Sequence, residues 1–198
     1  LNVIDSSMKM PEDILDNKKS WVVWITGLPG SGKSTISRKV QEKLLDKGVK
    51  SKILELDEIR RVITPNPKYT DEERDIVYLS LVYMTKLLAD CGTNVIIDAT
   101  GNKLAYREKA RELIPNFIEV YIKCPLDICI KREMKRDTRY SPKDIYKKGI
   151  EKESDTVPGI NVPYEVSANP EIIIDTSKCS IEDSAKAILK FIEEVQEP

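Results

Sequence analysis

The stretch that most constrains this chain is residues 21–35, Trp-Val-Val-Trp-Ile-Thr-Gly-Leu-Pro-Gly-Ser-Gly-Lys-Ser-Thr. An apolar run, 21–25, breaks into a glycine-rich turn that fits G-x-x-x-x-G-K-[ST] from Gly27 to Ser34, and a helical pattern follows at once. Strand, turn and helix in that order are the context a phosphate-binding loop requires. The glycines let successive backbone N–H groups curve around an anion, and the positive end of the new helix dipole points at the same place. Lys33 supplies a mobile charge for the outer phosphates, and the Ser34 hydroxyl is placed for Mg²⁺. A glycine-rich surface turn satisfies the bare pattern but not both flanks, so the chain is expected to bind a nucleoside triphosphate.

The rest of the chain bounds the setting of that loop. A length of 198 residues suits one α/β domain with a real core, expected over residues 21–198 after an N-terminal arm, 1–20. With 32 basic and 33 acidic residues the net charge is -1, which gives no global field for nucleic acid. No apolar run is long enough to span a bilayer, and the first 20 residues do not read as a secretory signal, so no membrane partner and a cytoplasmic location are expected. The four cysteines form no C-x-x-C pair and histidine is absent, which argues against a zinc site or a histidine-based triad. Proton chemistry falls to carboxylates, lysines or tyrosines.

Apolar spacing at Ile36, Val40, Leu44 and Leu45 gives a first helix, stopped near Gly48. A strand over 50–56 then delivers Asp57, Glu58 and Arg60 just beyond its carboxyl end, where ligands of open parallel sheets gather. Thr70 and Glu73 form a capping box for a helix carrying Ile76, Leu79, Val82, Tyr83 and Leu87 to about Asp90. A third strand, 94–97, ends at Asp98, a second carboxylate on the nucleotide side, followed by Ala99, Thr100, Gly101 and Asn102. A helix over 103–113, a strand over 117–122, a helix over 126–136, a strand over 171–174 and a helix over 181–195 complete the alternation. Between them, residues 137–161 form a charged stretch without periodicity, read as a mobile lid rather than a solvated loop. Five strands alternating with helices predict a three-layer α/β P-loop kinase fold, a parallel sheet covered on both faces.

With these pieces placed, the sequence resembles the adenylylsulfate kinases, which use ATP to phosphorylate the 3′-hydroxyl of adenosine 5′-phosphosulfate. The resemblance runs from about Ser20 through the phosphate loop and Asp57 and Arg60. It continues through Ala110-Arg111-Glu112-Leu113, Phe117-Ile118-Glu119-Val120 and Cys124-Pro125-Leu126-Asp127-Ile128-Cys129. It closes on Tyr146-Lys147-Lys148, Pro163-Tyr164-Glu165 and Asn169-Pro170-Glu171 through Asp175-Thr176. It implies that Gly27, Gly30, Ser31, Gly32, Lys33, Ser34 and Thr35 hold ATP, with Ser34 and Asp57 on the Mg²⁺ side. Asp57 would face the acceptor hydroxyl as the catalytic carboxylate. Arg60, Tyr69, Arg74, Asp98, Gly101 and Asn102 fall on the acceptor side, and Arg132 matches a lid-side arginine suited to the transferring phosphoryl group. Arg136 and Arg139 are further candidates for that task. The implied partners are ATP and a small-molecule acceptor, with a homodimer as the oligomer to test.

The departures from the family concentrate on the acceptor side. Glu58 replaces an asparagine, Val77 another, and Leu79 and Ser80 a pair of arginines; residues 98–102 replace Ser-Phe-Ile-Ser-Pro and add an acid. Asp155 stands for a lid lysine and Val157 for the phenylalanine that stacks on adenine, so only Tyr69 keeps its side of the base sandwich. A stacked base or a cationic contact contributes about 1–3 kcal/mol, so these changes bear on acceptor choice. Two readings of the reaction follow: a kinase acting on adenylylsulfate, or the same chemistry on another nucleotide or small hydroxyl metabolite, which the added acids Glu58, Asp98 and Asp155 would suit. A binding module without turnover is disfavoured, because Lys33, Ser34 and the acidic partners are all present.

Overall fold

The computed structural model describes residues 20–136, 142 and 144–196. The expected arm falls outside these residues apart from Ser20, as does Arg139. Strand β1, Val22–Thr26, is buried along its whole length because it has a neighbour on each side and helices over both faces. Its alternating side chains divide the core. Val23 and Ile25 pack with Ile36, Val40 and Leu44 of α1 (Lys33–Asp46) and with Ile188 and Ile192 of α7 (Ile181–Gln196). Val22 and Trp24 pack on the other face with Val77, Tyr78 and Leu81 of α3 (Asp71–Asp90) and Tyr106 of α4 (Leu104–Leu113). Burial on both faces explains why the strand reads as a continuous apolar run rather than an alternation.

The remaining strands are β2 (Ser51–Glu55), β3 (Asn94–Asp98), β4 (Phe117–Lys123) and β5 (Ile172–Asp175), and the sheet order is β2-β3-β1-β4-β5, all parallel. This is the expected five-stranded parallel sheet covered on both faces. The first break in strand order lies beside β1, and the phosphate loop and the tip of β3 meet there.

Three elements differ from the sequence reading. Helix α2 (Leu56–Ile63) forms where the sequence predicts only the end of a strand. The helix after Thr70 is present, but Ile76, Leu79, Tyr83 and Leu87 point to solvent, whereas Val77, Tyr78, Leu81, Val82 and Thr85 are buried. The helix is apolar around most of its circumference, and the aromatic stack decides which stripe turns inward: Tyr78 lies between Trp24, 6.4 Å away, and Tyr106, 4.2 Å away. In the charged stretch, a short helix α6, Ile145–Ile150, forms where no regular element was expected. Its anchor is Tyr146, buried with Cys124, Cys129 and Val157 in a third apolar cluster at the foot of α5 (Leu126–Lys135). Among the described residues no helix is long and apolar enough to cross a membrane.

Candidate active site

The phosphate loop leaves β1 with three glycines at positive φ, Gly27, Gly30 and Gly32. A side chain at Gly30 would put its first carbon 2.3 Å from the Cys129 carbonyl oxygen, and one at Gly27 would sit 2.4 Å from that of Ile122, so the loop is pressed against the start of α5 and the end of β4. Lys33 is buried in the first turn of α1, and its ammonium donates to the Leu28 carbonyl, 2.9 Å away, folded across its own loop. Burial pushes its pKa down, Asp98 pulls it up, and the charge of Arg136 pushes it down again. Tyr146 donates to the Pro29 carbonyl at 2.8 Å, which fastens α6 to the loop's crown.

Asp98 ends β3 next to β1, buried, and shares the pocket with Ser34. Burial raises its pKa, and the Lys33 ammonium and the Ser34 hydroxyl oppose that rise. Asp57 stands in the first turn of α2, Leu56–Ile63, which begins directly where β2 ends rather than after a loop. Lys33, Ser34, Glu55, Asp57 and Asp98 line one pocket. Ser34, Glu55, Asp57 and Asp98 offer hard oxygen ligands of the kind Mg²⁺ prefers, yet no group of three or more acids, cysteines or histidines among the described residues forms a metal cage. The site fits a cation that arrives with phosphate oxygens supplying the rest of its shell.

Opposite these acids, Arg60 and Tyr69 complete the pocket with Arg74. Glu73 organises them: one carboxylate oxygen takes Arg60 at 3.2 Å, and the other takes the backbone N–H groups of Lys68 (2.6 Å) and Tyr69 (3.1 Å). The Thr70 hydroxyl accepts from the Glu73 N–H at 3.2 Å as a capping box requires, while the Glu73 side chain reaches Lys68, Tyr69 and Arg60. Tyr69 is thereby held at φ 57°, with the Arg60 guanidinium 5.0 Å from its ring centre. Arg74 donates to the Tyr69 carbonyl at 3.2 Å and to the Thr156 carbonyl at 2.7 Å, which joins the start of α3 to the segment after α6. Val157, next in that segment, is buried in the third apolar cluster and lines, with Tyr69 and Arg74, a cavity beside the site.

Three of the residues expected at the acceptor or the transferring phosphoryl group do not line this pocket. Arg132 donates to the Thr176 hydroxyl (3.1 Å) and carbonyl (2.8 Å) and to the Ser31 carbonyl (3.5 Å), bracing the phosphate loop from outside the pocket. Gly101 and Asn102 do not line the pocket, whereas Asp98, Ala99 and Thr100 do. The Gly101 N–H donates to Tyr78 at 3.0 Å, and Asn102 faces Pro163 and Glu165. That segment is fixed throughout: Trp24 donates to the Ala99 carbonyl (2.9 Å), Thr26 to that of Thr100 (2.6 Å) and Arg107 to that of Gly101.

Sequence reasoning missed Glu73, the buried pair Arg107 and Glu119 (2.8 Å), and the pocket-lining position of Glu55. A signal for the pair existed, since Glu119 interrupts an apolar strand and a buried acid requires a cation.

The profile of the adenylylsulphate kinase family matches residues 19–175 of the chain. An adenylyl-sulfate kinase of Thermodesulfovibrio yellowstonii is 37% identical over 182 residues, covering 91% of this chain and 87% of the relative. A probable adenylyl-sulfate kinase of Halalkalibacterium halodurans is 35% identical over 179 residues, covering 88% and 83%. Among solved structures, the Mycobacterium tuberculosis APS kinase in complex with AMPPNP and APS superposes with a TM-score of 0.79 at 30% identity, over 88% of this chain and 98% of that one. With the phosphate loop, the acids at the tips of β2 and β3 and the arginine-tyrosine wall in place, these likenesses converge: the chain belongs to the adenylylsulfate kinase family.

Proposed function

We propose that the chain transfers the γ-phosphoryl group of ATP to the 3′-hydroxyl of adenosine 5′-phosphosulfate. The observation that carries this reading is one pocket that joins a phosphate loop to Asp57 on one side and to Arg60, Tyr69 and Arg74 on the other. The loop amides and Lys33, released from Leu28, hold the β- and γ-phosphates. Ser34 and Asp98, with Asp57 beside them, would hold Mg²⁺, which would supply charge neutralisation to the phosphates. Asp57 accepts a hydrogen bond from the acceptor hydroxyl and takes its proton as the new P–O bond forms and the bond to ADP breaks. Arg60 and Arg74 meet the acceptor's anionic end, and Tyr69 offers a face to its base. Arg74 also ties the segment over residues 144–161 to α3, which fits the role of a lid.

One observation favours a second acceptor within the same chemistry. Val157 is buried in another cluster and the Tyr69 ring already carries the Arg60 guanidinium, so a nucleobase has a single partner for stacking. A cytoplasmic location and a homodimer belong to the same proposal; the exposed apolar row of α3 supports the latter.

The test is ADP release from ATP with and without adenylylsulfate, in the wild type and in Asp57→Asn. Saturating adenylylsulfate raises the wild-type rate, and Asp57→Asn binds ATP normally while transfer falls by about 10²-fold or more, the scale of a positioned acid-base group. An absence of stimulation removes adenylylsulfate as the acceptor, and undiminished transfer removes Asp57 from the reaction.

A further inference from the structure

Arg132 and Arg136 lie one helical turn apart, at the end of α5 and just beyond it, yet they serve different surroundings. Arg132 is tied to Ser31 and Thr176. Arg136 lines the pocket that holds Lys33, Ser34, Asp57 and Asp98. Its Nε is shut off from solvent and finds no hydrogen-bond partner among the described residues. A buried donor without a partner is a cost that structures retain for a reason, and the cost is larger on a charged group. The guanidinium also stands close enough to Lys33 to disfavour its ammonium. The nearest acid on its own helix, Glu133, is buried and turned to the Ile145 N–H at 3.4 Å. Two cations converging in a desolvated pocket beside a phosphate loop leave a place for an anion to enter between them.

We propose that Arg136 is a catalytic residue that donates to the equatorial oxygens of the transferring phosphoryl group, opposite Lys33. This rests on the phosphoryl-transfer reading above. The planar guanidinium matches a phosphoryl group with two fixed donors, which a lysine at the same place does not reproduce. The contact strengthens as the bond to ADP loosens and charge spreads over the oxygens, so it acts on the transition state more than on bound ATP.

The experiment compares full-length wild type, Arg136→Lys and Arg136→Ala, each checked for native circular dichroism. Arg136→Ala lowers kcat of acceptor-stimulated ADP release by about 10³-fold, at the low end of what a charge-stabilising arginine contributes, while the KM values for ATP and acceptor stay near wild type. Arg136→Lys recovers only a small part, and added guanidinium ion restores part of the alanine variant's rate. ADP binds all three chains alike, but the ADP–aluminium fluoride complex weakens sharply in Arg136→Ala. An unchanged kcat, a loss confined to the acceptor KM, or a parallel loss of ADP affinity overturns the proposal. If wild type shows no response to adenylylsulfate, the acceptor assignment fails, and the aluminium fluoride comparison still decides the role of Arg136.

Discussion

Tyr69 holds a left-handed backbone conformation, φ 57°, that costs an L-residue about 1–2 kcal/mol, and the surrounding groups over-determine it. Glu73 grips its N–H, Arg74 its carbonyl, and Arg60 covers its ring. In Tyr69→Gly two effects oppose each other. Relief of about 1–2 kcal/mol is offset by about 0.5–1 kcal/mol of extra chain entropy and a similar loss of the cation–ring contact. Stability therefore changes by less than about 1 kcal/mol, while the acceptor KM rises by about tenfold through the lost stacking face. Urea denaturation and steady-state kinetics on the same variant check both halves; a large destabilisation with unchanged KM contradicts the assignment. The sequence marked Tyr69, Arg60 and Arg74 through their family positions, but not Glu73, whose capping-box pattern accounted for it already. A residue that fits a local rule hides any second task.

At the scale of elements, Arg107 of α4 is fully buried and forms an ion pair with Glu119 of β4 at 2.8 Å, while its other nitrogens reach the Gly101 and Glu165 carbonyls. One side chain thus joins a helix, the sheet, the loop after β3 and the segment that follows α6. Arg107→Met leaves the buried Glu119 carboxylate with only Arg111, at 3.6 Å, and the Ser167 hydroxyl, and should cost about 3 kcal/mol, whereas Arg107→Met with Glu119→Leu recovers much of that. Recovery is incomplete because the two carbonyls still lack a donor. Chemical denaturation of the two variants reads the difference; equal losses in single and double variants contradict it. Elements were legible where local chemistry decided them, as for β1 with its glycine turn and α3 with its Thr70 cap. The inward face of α3 was not legible, since both stripes are apolar and the choice rests on the distant rings of Trp24 and Tyr106. Helix α6 was hidden for the same reason: Tyr146 and Val157, eleven positions apart along the chain, are buried only together.

Across the whole molecule, the acid limit of stability has an identifiable contributor. Partial burial alone would raise the Glu171 pKa, but Arg111 at 2.9 Å and the Glu119 N–H at 2.7 Å hold it below the ordinary 4.5. A carboxyl with a depressed folded pKa contributes stability that is complete above its unfolded value and is lost as pH falls through the folded one. Between neutral pH and 4.5 the contribution is therefore flat, and below that it declines. Glu171→Gln should be less stable than wild type at pH 7 and converge with it in acid, as thermal melts across pH will record; a difference independent of pH removes Glu171 from the acid response. At this scale the donor half of the candidate site was readable, because the phosphate loop is contiguous. The acceptor half was partly readable, because it is assembled from α2, α3, the tip of β3 and the segment after α6, and side chains such as Val157 take their direction from packing that no local pattern carries.

The position of β1 has a consequence for how the chain is made. The strand bearing the phosphate loop is central, and its partners are residues 95–98 on one side and 117–121 on the other. A nascent chain emerging from the ribosome therefore carries the apolar segment 21–25 with one edge unpaired until residues 95–98 emerge and the other until residues 117–121 do. Parallel pairing across such separations is slow to form. During that interval the segment is open to chaperones and to the same segment on a neighbouring chain, so yield in the cell should depend on holding β1 apart until β3 and β4 emerge.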